Sequence, residues 1–397
     1  MPLPTPQTPP ALRARVNGAG PSGALAALAL ARAGWQVQLW DPLTPEQLCE
    51  RERAYALTHS SRELLEQLDL WLPLQPFLAP FRRLDLCDRA LHCQVVFTER
   101  DLPAAHRIAA GAPAAVGWIL QHRPLMAVLL EALLAEPRLE LQLGQPPSVV
   151  PPSTDAGPDL LVAADGHASP TRRAAGLRRW GFAYRQGCLT VQVRLRGGRP
   201  DQAWELFRPE GPFAVLPLGG DAYQLVWSAP LPRLQRLQSL DGAAFLDALS
   251  AALPEELQAE VLLDQPRAFP VAWELAWPLR RRRCVLLGEA AHRCHPVGGQ
   301  GLNLCWRDVS VLAAEARRCV EGRSSAARLP GRYARRRILD MLAVLLATDV
   351  LVRFFSNRQP LLLPLRRLAL ALLAALQPLR RLLLSAMTDG PLHLRRP

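Results

Sequence analysis

The chain has 397 residues, enough to bury a large core and form more than one domain, and its 49% hydrophobic and 21% charged content is that of a folded globular protein. Its formal net charge of +12 is carried by arginine alone, since no lysine occurs; without an aromatic-interleaved basic stripe this argues against nucleic acid and leaves a solvated surface or attraction to anionic lipid or phosphate. The eight cysteines form no CxxC pair and no metal-type Cys/His spacing, and no charged-then-apolar signal opens the chain, so a reducing, cytoplasmic setting and no metal are expected.

Residues 1–10, rich in proline and threonine, read as a disordered lead-in. From Arg15 to Asp41 the turn Gly18-Ala19-Gly20-Pro21-Ser22-Gly23 enters an alanine- and leucine-rich run with helical spacing, and an apolar strand follows from Trp35 to Trp40. In such a β-turn-α-β unit Gly18 permits the tight turn and Gly20 lets a pyrophosphate approach the backbone. Gly23 lets helix and strand pack closely, and the helix N-terminus offers N–H groups to an anion. Asp41 ends the second strand eighteen residues after Gly23, where a carboxylate can accept hydrogen bonds from a ribose diol. Glycines also mark ordinary turns; strand, helix and acidic residue together point to dinucleotide binding.

In Arg51 to Trp71, Ser60 is placed to cap a helix carrying Leu64, Leu65 and Leu68 on one face. Arg51 and Arg53 precede it, either to meet cofactor phosphates or to be solvated. Pro73 to Ala105 reads as short strands and loops. Trp118 to Leu134 reads as strand then helix, with Gln121, His122 and Arg123 at the junction, and Gly144 to Pro158 as a loop. Leu160 to Ala164 is a buried parallel strand whose Asp165-Gly166 end puts a carboxylate at the carboxyl edge of the sheet, unless it is a solvent turn.

Between Gly187 and Trp277 the pattern alternates with period two, which predicts a mostly antiparallel sheet; Trp204, Phe213 and Trp227 either line a pocket in it or form its core. The second anchor is Cys284 to Val309. An apolar strand ends at Gly288, a loop passes Pro296 and the turn Gly298-Gly299-Gln300-Gly301, and a helix starts near Leu302. Glycine N–H groups at a helix start can stabilise negative charge on a ring placed against them. Cys284, Cys294 and Cys305 are read as buried, inert thiols.

The tail holds two apolar segments, Ile338 to Phe355 and Leu361 to Met387; Asp349 interrupts one and the pairs Arg366-Arg367 and Arg380-Arg381 the other, so neither is expected to cross a bilayer. The arginine pairs, about four helical turns apart, are expected on one face of a helix. That helix either packs on the protein or lies on a membrane surface.

In this order and separation the anchors resemble the single-component FAD-dependent aromatic hydroxylases. The stretch GEAAHRCHPVGGQGLNL, with GPFAVLPL at Gly211 to Leu218 and LTHSSRELLEQLDLW earlier, looks most like the ubiquinone-biosynthesis hydroxylases, and the resemblance covers nearly the whole chain. It implies an α/β fold: a doubly wound, glutathione-reductase-like FAD-binding domain (11–80, 108–183 and 280–337) with an inserted, mostly antiparallel β-sheet substrate domain (81–107 and 184–279). A C-terminal helical region (338–397) follows.

By the same resemblance Gly18, Gly20, Gly23 and Asp41 hold the ADP half of FAD. Arg53 and Arg123 match arginines near the cofactor, and Asp165 and Gly166 match an Asp-Gly motif touching FAD and NAD(P)H. Gly288, Glu289, Pro296, Gly299, Gln300, Gly301 and Asn303 complete the cofactor set. Glu289 stands where the family usually has Asp, and Asp41 where Glu is usual; the longer Glu289 bears on FAD affinity. The family reduces FAD with NAD(P)H, activates O2 and transfers one oxygen to an electron-rich ring. The protein therefore has to stabilise anionic reduced flavin and exclude water. No acid-base pair is evident; His295 is the catalytic candidate at the pocket edge. The expected substrate is a small hydrophobic phenol or quinone precursor, with peripheral membrane contact as an option. The rival readings are a flavin enzyme acting on an isoprenoid or carotenoid, and a membrane-associated flavin-binding protein without turnover.

Overall fold

The computed structural model describes residues 11–107, 114–146 and 157–391; the expected lead-in at residues 1–10 lies outside them. The helices that position the site are, in chain order, α1 (Pro21–Arg32), α2 (His59–Gln67), α3 (His122–Ala135), α4 (Pro170–Ala174), α5 (Gln300–Val320), α6 (Leu329–Phe355), α7 (Leu363–Ala375) and α8 (Gln377–Asp389).

A six-stranded sheet runs in the order Arg280–Arg281, Cys284–Leu286, Leu160–Ala163, Arg13–Asn17, Gln36–Asp41, Leu139–Leu143. All pairs are parallel except the first hairpin. The central strands are covered on both faces, and α1 is buried along nearly its whole length, which is why these segments read as unbroken apolar runs. Asn17 pairs with Ala163, and Ala163 with Leu286. The turns that follow these three residues, at Gly18, Asp165 and Gly288, therefore leave the sheet at one carboxyl edge, the edge where doubly wound sheets bind ligands.

A nine-stranded, mostly antiparallel sheet is built on the long strand Arg179–Arg196, flanked by Ala222–Pro230 and Arg267–Ala276. Ala222–Pro230 leads on to Phe213–Gly219, Gln202–Phe207 and Arg83–Asp88. One face carries Leu189, Val191, Trp204, Phe213 and Trp227, closed by Leu234, Phe245 and Leu249 from the helices Leu231–Gln238 and Gly242–Ser250. Trp204, Phe213 and Trp227 are thus core rather than pocket lining, because period two puts them on the helix-covered face. The opposite face, with Ala203, Phe207, Leu216 and Leu218, looks onto a three-stranded sheet (Ala54–Leu57, Gly117–Gln121, Leu78–Phe81) and onto Val297 and the C-terminal helices.

The tail differs from expectation in one respect. The chain is extended at Leu376, and α7 and α8 meet at a bend of 99°. Pro378, at the start of α8, cannot continue the preceding helix's hydrogen bonding, so the arginine pairs do not share a face. Arg366 is buried, with Nε donating to the Phe354 carbonyl at 2.6 Å, while Arg380 Nε bonds Asp101 Oδ1 at 3.0 Å. Among the described residues no single helix is long and apolar enough to cross a membrane; the bent pair passes only by combined length and composition. Leu361, Leu365, Leu368, Leu372 and Leu376 stand exposed at helical spacing along α7 and its ends.

Candidate functional site

The site begins at the α1 turn. Gly18 has φ +104°, and a Cβ there would lie 2.4 Å from the Ala164 carbonyl oxygen; a Cβ on Gly23 would lie 1.8 Å from that of Gly18. Both glycines are demanded by close backbone approach. Gly20 differs: a Cβ on it would meet nothing within 4 Å, and no side chain caps the helix. The first N–H groups of α1 are left for an anion, and the space over Gly20 is where one fits. Asp41 is buried beside the turn, with Oδ2 accepting from the Ala19 N–H at 2.6 Å and Oδ1 from the Leu43 N–H at 2.8 Å. It fixes the turn and keeps lone pairs for a hydroxyl.

Next to it, Asp165 accepts from the Thr171 N–H at 2.9 Å and from the Ser169 hydroxyl, anchoring the start of α4. Asn17 Nδ2 reaches Thr171 Oγ1 at 2.9 Å, tying the same helix to the first strand. Gly166 has φ +79° and opens onto empty space. Arg172 bridges this loop to the next, donating to the carbonyls of His167 at 3.1 Å and Ala290 at 3.4 Å.

In the third loop the Gly288 N–H donates to Asp308 Oδ2 at 3.0 Å, and Glu289 stands exposed on the short turn Gly288–Ala290. Asp308 also takes His292 Nε2 at 2.8 Å and Arg337 Nε at 2.7 Å. Burial alone would raise its pKa; the His292 and Arg337 charges beside it hold the carboxyl below the ordinary carboxylate range. Sequence reasoning missed Asp308 and Arg337, whose signal was two opposite charges inside otherwise apolar helical faces.

Gly298 and Gly299 both adopt left-handed backbone, φ +67° and +63°, and α5 starts at Gln300 rather than Leu302. Gly301 is exposed and faces open space. The Asn303 side chain is committed to the scaffold: Nδ2 donates to the Ala56 and Gly299 carbonyls at 2.8 Å, and Oδ1 accepts from Thr58 and Ser61. Only its backbone is left for a ligand. Gln300 Nε2 donates to the carbonyls of Gly298 and Met387, joining the turn to the end of α8. Ser60 does not cap α2. Thr58 is the N-cap residue, and the Ser60 hydroxyl donates to the Thr388 carbonyl at 2.8 Å, because α8 covers that helix end.

His295 is fully buried rather than at a pocket edge. Its Nδ1 accepts from the Val297 N–H at 3.2 Å, its Nε2 has no partner among the described residues, and the Tyr184 ring meets it edge-on at 5.3 Å. Burial drives its pKa down to about 4, so the ring is neutral near pH 7. Pro296 is partly exposed at the head of the turn. Arg53 and Arg123 are both exposed, and the pairing of Ala54 with Gln121 brings their segments together. The Arg53 guanidinium lies over the Tyr55 ring, whose hydroxyl bonds His122 Nδ1 at 2.8 Å while His122 Nε2 donates to the Leu48 carbonyl at 2.7 Å. His122 is therefore structural.

Between the three-stranded sheet and the large sheet runs a cleft of about 810 Å³, with Ala79, Ile119 and Gln121 on one side and Leu218 on the other. The arrangement offers an uncapped helix start at Gly20, an open glycine at Gly166 on the same sheet edge, and an open glycine at Gly301 at the start of α5. The cleft between the three-stranded and nine-stranded sheets is separate, lined by apolar residues together with Arg82, Arg199 and Asp201.

The FAD binding domain family matches residues 153–344. An uncharacterised protein of Synechocystis sp. is 32% identical over 394 residues, covering 94% of this chain and 92% of its own. The 3-demethoxyubiquinol 3-hydroxylase of Escherichia coli is 29% identical, over 89% of this chain and 93% of its own. Among solved structures, p-nitrophenol 4-monooxygenase of Pseudomonas putida superposes with a TM-score of 0.73 at 17% identity, covering 96% of this chain and 98% of that one.

Proposed function

This chain belongs to the FAD-dependent monooxygenases that share the FAD binding domain, and from that premise we propose that it hydroxylates the ring of a prenylated phenol on the way to a quinone, using NAD(P)H and O2. The residues present fit FAD: the turn at Gly18 to Gly23 is built by close backbone contacts, yet the Cβ positions of Gly20, Gly166 and Gly301 open onto empty space. Bound FAD supplies the electron transfer and oxygen activation. The chain's own residues bind, orient and shield.

In this reading the α1 N–H groups hold the pyrophosphate, with Arg53 and Arg123 as supporting cations, and Asp41 takes the ribose. Asp165, Gly166 and Glu289 contact the middle of the cofactor. The backbone of Gly299 to Asn303, backed by the start of α5, stabilises negative charge on the reduced ring. His295, neutral and buried beside the turn, has Nε2 available to a reacting group. The observation that carries the reading is the alignment of Asn17, Ala163 and Leu286, which brings three loops from distant parts of the chain to one edge of the parallel sheet.

The substrate class is supported by the E. coli relative's action on demethoxyubiquinol and by a 29% identical ubiquinone hydroxylase of Rhodospirillum rubrum. Peripheral attachment to a membrane's inner face is supported by the exposed leucines of α7, flanked by the exposed Arg367 and Arg381. The test is a mass-spectrometric profile of lipid quinones and precursors in the source organism with this gene removed. Accumulation of a polyprenylphenol lacking one ring oxygen is expected; an unchanged profile in a genome without a second hydroxylase overturns the substrate class.

A further inference from the structure

Glu205 lies on the strand Gln202–Phe207, on the face shared by Ala203 and Phe207 and opposite Trp204 and Leu206. That face is the wall opposed to Val297 of the glycine turn and to Ala54 and Ala56 of the three-stranded sheet. Glu205 is only 9% exposed, and none of the described residues forms an ion pair with it. Its polar neighbour is the backbone amide of Gly298. A carboxylate buried without a cation weakens the fold, so its place beside the glycine turn calls for a use.

The wall continues from Glu205 through Ala214, its register partner, to Leu216 and Leu218. Both leucines are partly exposed, and Leu218 lines the 810 Å³ cleft. From Ala214 to Leu218 is roughly 13 Å of strand. A ring at the Glu205 level, against the glycine turn, thus has an apolar path leading outward for a chain attached to it.

We propose that Glu205 is the catalytic base of the hydroxylation: it receives the phenol hydroxyl beside the glycine turn and takes its proton, while the isoprenoid chain lies along Leu216 and Leu218 toward the cleft. This rests on the phenol-hydroxylase reading above. In the step the phenol O–H bond breaks and an O–H bond forms on the Glu205 carboxylate. The electron pair left on the phenol oxygen enriches the ring for attack on an electrophilic oxygen. As the new C–O bond forms the oxidant's O–O bond breaks, and the hydrogen on the attacked carbon leaves as a proton for the departing oxygen, which ends as water. The Glu205 proton returns to the product's phenol oxygen. Burial pushes the Glu205 carboxyl up to about 7, against the opposing pull of the Gly298 amide, which makes it a stronger base than an ordinary carboxylate while still substantially ionised near neutral pH.

The test compares the FAD-loaded protein with Glu205→Gln by calorimetric titration of para-cresol and of its methyl ether, which lacks the donated hydrogen. The unsubstituted protein is expected to prefer the phenol by about 10-fold or more, the worth of a hydrogen bond to a charged acceptor. In Glu205→Gln the preference is expected to narrow several-fold, with FAD content and melting temperature retained. An undiminished preference overturns the assignment of Glu205 alone. Loss of FAD in Glu205→Gln overturns it too, by making the carboxylate part of the scaffold of the turn. Absence of any preference in the unsubstituted protein overturns the phenol reading itself.

Discussion

Arg337 and Asp308 form an ion pair with Nε and Oδ1 2.7 Å apart and both side chains all but inaccessible to water. Through Asp308 Oδ2 that pair also holds the Gly288 amide, so a charge pair between two helices sets the loop that precedes Glu289.

Asp308→Asn should therefore act on both stability and cofactor. Arg337 loses one of its two carboxylate partners and keeps the other, Asp340, whose Oδ2 accepts from Nη1 at 2.7 Å, so the expected cost is roughly 1–3 kcal/mol, and FAD content should fall with the loosened Gly288 turn. Denaturant unfolding and the flavin-to-protein absorbance ratio check both. Because the folded pKa of Asp308 is lowered, its contribution is present above the ordinary carboxylate range and is lost as pH falls through the depressed value.

Gly23→Ala should abolish FAD uptake. The added Cβ has backbone, not a flexible side chain, 1.8 Å away, so α1 must move off the turn, and roughly 1–3 kcal/mol of overpacking is expected besides. Gly20→Ala, with open space at its Cβ, should leave melting unchanged but weaken FAD; equal losses of stability in the two variants would count against a ligand over Gly20.

Acid should destabilise the protein before its carboxylates protonate. Burial lowers both His59 and His295 to about 4, from an ordinary 6.5. The unfolded chain then binds more protons below pH 6.5, so stability is full above that value and declines as pH falls towards 4, by at most about 3 kcal/mol per histidine. Unfolding curves at pH 7 and pH 5 measure the decline, and His59→Gln should reduce it.

Deleting the tail from Pro360 onward is a poor probe of membrane contact, since Leu370 and Leu384 are core and the Met387 and Thr388 carbonyls hold Gln300 and Ser60. Replacing the exposed Leu365, Leu368 and Leu372 together by serine should release the protein from anionic vesicles while leaving its melting temperature within a few degrees. Unaltered co-sedimentation would exclude α7 as the contact surface.

Glu289→Ala should leave folding intact, since the side chain is exposed, and weaken FAD by about 10-fold, the loss of one charge-assisted hydrogen bond. Titration of the unloaded protein with FAD gives the number. An unchanged affinity would remove Glu289 from the cofactor set.

The glycine turns were legible in the sequence because their backbone demands allow few other residues: Gly18 and Gly23 are forced by contacts under 2.5 Å. The strand carrying Leu160 to Ala163 was legible for a similar reason, being apolar throughout and ended by Asp-Gly. Harder to read was anything that depends on which surfaces meet. Period two in the large sheet shows alternation but not which face closes into a core, so Trp204, Phe213 and Trp227 stayed ambiguous until the two helices were seen to cover them. Glu205, between Trp204 and Leu206, has the pattern of a residue facing water; it is buried because the other face is covered as well. Asn303 lies in the right motif, yet nothing local reveals that Thr58, Ser61 and Ala56 already use its whole amide.

The parallel pairing of Leu161 with Cys284 bears on how the protein is made. Closing a loop of that length is slow and cannot begin until the later strand has left the ribosome, although Gly18 to Gly23 is synthesised almost at once. The nascent chain thus carries the Gly18 to Gly23 sequence long before it has the Ala164 backbone and the completed sheet edge against which that turn is built. FAD capture belongs to the last stage of synthesis, and a chain truncated before Cys284 should be a folding intermediate with an unpaired strand edge, prey to proteases and chaperones rather than a smaller flavoprotein.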